Sequence, residues 1–101
     1  MPRDIDESPE YQERQLDLIQ KHIAMFRGGT IDILPLALRL EGLASALYHS
    51  HVPNGVSSSI GDIEVVGAML EGKKPSQGDL ANVEARLKTL EKILELPTEQ
   101  S

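Results

Sequence analysis

FRGGTIDILPLALRLEGL, residues 26–43, reads as a stop, a restart and then a run of leucine too broad for one helix face. Gly28 supplies the left-handed backbone that commonly ends a helix, and Gly29 lets the chain reverse at once. Thr30 or Asp32 can cap the helix that follows. Pro35 is compatible with that helix because it falls in the first turn, where its missing amide hydrogen has no partner to lose. The stretch therefore predicts two helices joined by a short turn, with the second running from about Ile33 to Tyr48. Leu36, Leu40, Leu43 and Leu47 form one stripe, which Leu34, Ala37, Leu38, Ala44 and Ala46 widen on both sides. A helix this apolar touches several neighbours, so the leucine run is first a core element. Glu41 interrupts it, either on a narrow wet edge with Arg39 or partly buried with a raised pKa; the cost of burying an unpaired carboxylate favours the edge.

Upstream, Ser8 and Pro9 resemble a helix start, with Ser8 as N-cap and Pro9 at the first helical position. Leu16, Ile19, Ile23 and Phe26 follow at spacings of three and four, while Glu13, Asp17, Gln20, Lys21 and Arg27 fall on the wet side. Downstream, HSHVPNGVSSS at 49–59 concentrates turn residues and reads as the longest internal loop. Ser59, with Asp62 three residues on, offers a weak capping box for a third helix carrying Ile60, Ile63, Val66, Gly67 and Leu70. Val65 and Val66 would also suit a strand. Gly72 ends that helix, and Ser76 with Asp79 caps a fourth from Gln77 to about Leu96, along which Leu80, Val83, Leu87, Leu90 and Leu94 keep the same spacing until Pro97 stops it.

Four amphipathic helices with short turns inside the first pair and inside the last pair predict an all-α fold, an antiparallel four-helix bundle made of two helical hairpins, with the second helix at its centre. Residues 9–97 form the single bundle domain, flanked by a flexible acidic arm at 1–8 and a polar tail at 98–101. At 101 residues the chain suits one core, burying roughly 60–70% of the surface of the unfolded chain. The composition is 40% hydrophobic but only 3% aromatic, so aliphatic side chains must fill that core. Without cysteine there is neither a disulfide framework nor a thiolate metal site, which fits a reducing cytoplasm. The first ten residues are charged and lack the apolar stretch of a secretory signal, and Arg39 and Glu41 break the longest run that could span a membrane.

No residue pattern announces a chemistry. His49 and His51 lie two apart with no third ligand nearby, and His22 sits beside the first stripe as a boundary residue. Ser57, Ser58 and Ser59 lack the flanking glycines of a nucleophile elbow and are accounted for as caps. FRGGT has neither phosphate-loop spacing nor the lysine that follows it. Lys73 and Lys74 are the only adjacent bases, and they read as solvated loop residues. The expectation is a non-enzymatic protein with no cofactor and no metal.

The net charge of −6 repels nucleic acid and anionic lipid, leaving solubility or a basic protein partner as its use. The densest cluster of acids lies on the first helix and its arm. There Asp6, Glu7, Glu10, Glu13 and Asp17, with Asp4 beside them, form either a solvated face or a docking patch for such a partner.

Residues 18–47, LIQKHIAMFRGGTIDILPLALRLEGLASAL, pass from an apolar helix ending in Phe26 through a glycine turn and an Ile-Asp restart into a leucine-rich helix. This order resembles small bacterial helical proteins of the immunity type, such as the colicin D immunity family. The resemblance covers about a third of the chain and transfers no individual contact residue. It implies an acidic bundle that binds a basic toxin domain and blocks its active site. The alternative is a structural or regulatory bundle that self-associates, as a homodimer, through apolar surface left on the second or fourth helix.

Overall fold

The computed structural model describes residues 9–49 and 51–96. Its elements are α1 (Pro9–Arg27), α2 (Ile33–Tyr48), α3 (Asn54–Leu70) and α4 (Gln77–Ile93), and no strand occurs among the described residues. The proposed Ser8 cap, the arm at 1–8 and the tail lie outside the described residues. The four helices form an all-α bundle in which α1 packs on α2, α2 on α3 and α3 on α4.

Close approaches give the helices their directions. Gly67 near the end of α3 lies against Leu34 at the start of α2, and Gly55 at the start of α3 lies against Ile93 at the end of α4. Asp62 and Arg86, each near the middle of its helix, pair at 3.2 Å. Ascending numbers on one helix therefore meet descending numbers on the next, as two stacked antiparallel hairpins require.

Most of the expected stripes enter the core. Ile19 and Ile23 of α1, Leu36, Leu40 and Leu47 of α2, Ile60 and Ile63 of α3, and Val83, Leu87, Leu90 and Leu94 along α4 are all buried. Leu16, Phe26, Leu43, Val66 and Leu70 are half-buried against them. Leu80, the first member of the α4 stripe, is exposed in the opening turn of that helix. Glu41 and Arg39 lie on the solvent edge of α2. The central place belongs to α2 and α3 together, since each is packed between two neighbours.

Three local expectations are corrected. At the end of α1 the left-handed residue is Gly29 (φ 84°), not Gly28. The amide of Thr30 donates to the Met25 carbonyl at 2.8 Å and that of Gly29 to Phe26 at 3.0 Å, the paired bonds of a Schellman turn with Gly28 still continuing the helix. Further along, α3 begins at Asn54 rather than after the serines. Val56 is fully buried and extends the α3 stripe one turn upstream, at the spacing Val56, Ile60, Ile63, Gly67. Asn54 and Gly55 therefore occupy a first turn, where amides lack intrahelical partners and turn-forming residues cost little. Ser57–Ser59 lie inside the helix, and Asp62 pairs with Arg86 instead of closing a capping box. Lastly, α3 ends on Glu71 (φ 48°) as well as Gly72 (φ 83°). The expected box at α4 is present: Ser76 Oγ accepts from the Asp79 amide at 3.1 Å, and Asp79 Oδ2 accepts from the Ser76 amide at 3.0 Å.

Arg27 is the largest departure from the pattern. Periodicity assigns it to the wet side of α1, yet its guanidinium crosses to α4. Nη1 donates to Glu91 Oε2 at 2.8 Å and Nη2 to Glu91 Oε1 at 3.2 Å, while Nε and Nη2 both donate to the Glu84 carboxylate. Glu91 is only 4% exposed. Its hydrogen bonds are the main reason the Arg27 pKa is raised, with burial opposing and Glu84 adding to the rise. A raised pKa on a cation means stabilisation that is complete below the ordinary arginine value and is lost only above it, so alkaline pH does not discharge the guanidinium while the fold survives.

Two outcomes follow from this packing. A Cβ at Gly67 would stand 2.8 Å from the Leu34 nitrogen, whereas one at Gly42 or Gly61 would meet nothing within 4 Å. Gly67→Ala should therefore destabilise by about 1–3 kcal/mol despite its better helix propensity, and Gly42→Ala and Gly61→Ala should each stabilise by about 0.5–1 kcal/mol. Urea melts of the three variants check the difference in sign. For the clamp, Arg27→Ala strands a buried carboxylate and should cost about 3 kcal/mol, with Arg27→Lys recovering part of it because an ammonium cannot fork onto two carboxylates. The double variant Arg27→Met, Glu91→Met should lie closer to wild type than Arg27→Ala; a double variant as unstable as the sum of its single changes would show that the pair is not coupled.

Candidate functional site

The first and last helices meet mainly through side chains, and the seam between them leaves an opening on each side of the Arg27 clamp. The lower opening is a groove of about 690 Å³ lined by Glu10, Glu13, Arg14, Leu16, Asp17 and Gln20 of α1 and by Glu95 and Leu96. Three of the expected partner-binding acids, Glu10, Glu13 and Asp17, stand exposed at its edge. Their spacing of three and four places them one above another on a single face of α1. Asp6 and Glu7 lie outside the described residues.

Glu95 is the member that sequence reasoning missed. At the end of α4 the Leu96 amide donates to the Glu91 carbonyl at 2.8 Å and the Glu95 amide to Lys92 at 3.2 Å, a second Schellman turn with Glu95 in the left-handed position (φ 57°). This turn carries Leu96 into the core and leaves Glu95 exposed. The sequence pattern places Glu95 within the last turn of the fourth helix, which runs to about Leu96, and spacing along that helix carries no signal linking it with α1. Four carboxylates thus surround a floor that includes Leu16 and Leu96, with Arg14 as the one cation. Such an arrangement attracts cations and offers apolar contact beneath them. Part of its charge also has a local role, because Glu10 lies in the first turn of α1 and complements the positive end of the helix dipole.

The upper opening, of about 920 Å³, lies where the α1–α2 turn meets the α3–α4 turn. Phe26, Ile31, Leu34, Leu70 and Leu80 contribute apolar walls, and Lys73 and Lys74 stand among its lining residues. Arg27 and Glu84 also border it, already bonded to each other. Neither opening is lined by a hydroxyl, thiol or imidazole side chain.

The histidines sit elsewhere. His22 Nδ1–H donates to the Leu18 carbonyl at 2.8 Å, a half-buried contact one turn back along α1. His49 takes the left-handed position that ends α2 (φ 53°), and both it and His51 are exposed. Among the described residues no three His, Asp or Glu side chains converge as a metal ion would need, and no helix is long and apolar enough to cross a membrane.

Comparison of the chain with protein-family models, with curated proteins and with solved structures gives no match.

Proposed function

We propose that this protein is a non-catalytic binding module, an immunity protein or inhibitor of bacterial type that neutralises a basic toxin domain in the cytoplasm through its acidic face. The observation that carries this reading is the convergence of Glu95 with Glu10, Glu13 and Asp17 around an apolar floor. Carboxylates steer a cationic partner and set its orientation, and the leucines beneath supply contact that gains from losing water. The chain's net charge of −6 acts in the same direction at longer range. The resemblance of residues 18–47 to the immunity type supports the same class of partner.

Self-association is the second reading, favoured by a separate observation. Leu38 of α2, Val65 and Met69 of α3, and Leu80 and Ile93 of α4 are large apolar side chains left exposed, Met69 by 76%. Sedimentation equilibrium over a hundredfold concentration range separates the two: a constant monomer mass removes the dimer.

The inhibitor reading is tested by co-expression with a toxin domain encoded beside this chain. Wild type should rescue the cells, and Glu10→Lys, Glu13→Lys, Asp17→Lys combined should not, while still folding cooperatively and melting only a few degrees lower, as the loss of Glu10 from the first turn of α1 requires. With the two purified proteins, association should slow by about tenfold or more between ~0.02 and ~0.5 M salt, because the attraction acts over a Debye length that shrinks with ionic strength. Absence of rescue by wild type would refute the proposal, as would an association rate indifferent to salt.

A further inference from the structure

The upper cleft takes no part in the acidic face. Along α1 it lies about 24 Å from Glu10, at the rise of ~1.5 Å per residue between Glu10 and Phe26. From its chemistry we infer that this cleft binds an amphipathic monocarboxylate, with the hydrocarbon part against Phe26, Ile31, Leu34, Leu70 and Leu80 and the carboxylate held by Lys73 and Lys74.

Size and lining give the first argument. A volume of about 920 Å³ falls in the range of small-molecule sites, which are mostly apolar with a few polar groups that fix orientation. Phe26, Ile31, Leu34 and Leu70 are half-buried, so the core holds one side of each in place and leaves the other open to a ligand. Shape gives the second. The cleft is closed in by two turns at one end of the bundle and does not run along a pair of helices, so it suits a short ligand better than a peptide, which needs a groove along its length.

Charge decides the head group. Lys73 and Lys74 are the only adjacent bases in a chain of net charge −6, and the α3–α4 turn sets both at this apolar opening. Arg27 is taken up there by Glu84 and Glu91, so the clamp offers no free cation to a ligand. The first turn of α2 also opens onto the cleft, and its N-cap Asp32 makes no side-chain cap bond. Asp32 is the one lining carboxylate that Arg27 does not engage, and it disfavours a second anion beside it. The ligand head group therefore belongs on the lysine side, away from Asp32 and the clamp carboxylates, and a single carboxylate keeps repulsion from them smallest.

The test uses the full chain, with decanoate and decanol as probes kept below the concentrations at which they aggregate. Calorimetric titration should show one saturable decanoate site, and methyl resonances of Leu34, Leu70 and Leu80 should shift with the same affinity. Lys73→Gln with Lys74→Gln should weaken decanoate by about tenfold, roughly two- to fivefold for each exposed charge, and leave decanol unchanged. Asp32→Asn should tighten decanoate severalfold. Ala81 lines the cleft from an exposed position on α4, so Ala81→Trp should block both probes without altering the melting temperature. The variant reversed at Glu10, Glu13 and Asp17 should bind decanoate as wild type does, which separates this site from the acidic face. The inference is overturned by the lack of saturable decanoate binding, by decanoate binding that Ala81→Trp leaves intact, or by equal binding of both probes with no dependence on the lysines.

Discussion

Arg27 holds the first helix to the last. Backbone packing proceeds in chain order from α1 to α4, and across the remaining seam a guanidinium forked onto two carboxylates joins the first helix to the last. Its geometry explains why Glu91 tolerates burial: a carboxylate 4% exposed is stable there because two of the guanidinium's N–H groups reach its two oxygens. The same clamp divides the seam. Above it lies the lysine-edged cleft, below it the acidic groove, and the two differ in charge because the first takes Lys73 and Lys74 from the α3–α4 turn and the second takes its acids from the body of α1 and the end of α4.

Helix ends control what each opening presents. The Schellman turn after α1 releases the chain at Gly29 and so places Arg27 in the last helical turn, where it can reach across to α4. The matching turn after α4 buries Leu96 and exposes Glu95 beside α1. At the other end, left-handed Glu71 and Gly72 turn the chain so that Lys73 and Lys74 lie at the cleft. Each is a local backbone event whose effect on function depends on which other element happens to lie opposite.

The contact between Gly67 and the first turn of α2 has a comparable role inside the bundle. With no side chain at Gly67, α3 comes within van der Waals distance of the Leu34 backbone, and the two central helices interlock at the end where the cleft forms. The widening of the α2 stripe by Ala37 and Ala44, both buried, lets neighbours approach that helix in the same way. Exposed Val65 and Met69 on α3 show where the apolar sequence exceeds what one core can cover.

What the sequence determined by itself was governed by spacing along one helix: four helices, most of their stripes, the Ser76–Asp79 box, the wet edge of Glu41 and the grouping of Glu10, Glu13 and Asp17 on one face, though the same kind of spacing misplaced Arg27, Leu80 and the Ser59–Asp62 box. Periodicity carries such information because burial on a helix repeats with the turn. The start of α3 was hidden by a Pro-Asn-Gly signal that is equally at home in a first helical turn, and the buried Val56 shows which use prevailed. Tertiary structure alone decided the pairing of Arg27 with Glu84 and Glu91, the arrival of Glu95 at the acidic groove, and the meeting of Lys73 and Lys74 with Leu34 and Phe26. These contacts join residues far apart in the chain, and their geometry is set by how the hairpins stack, which no spacing within a single helix encodes.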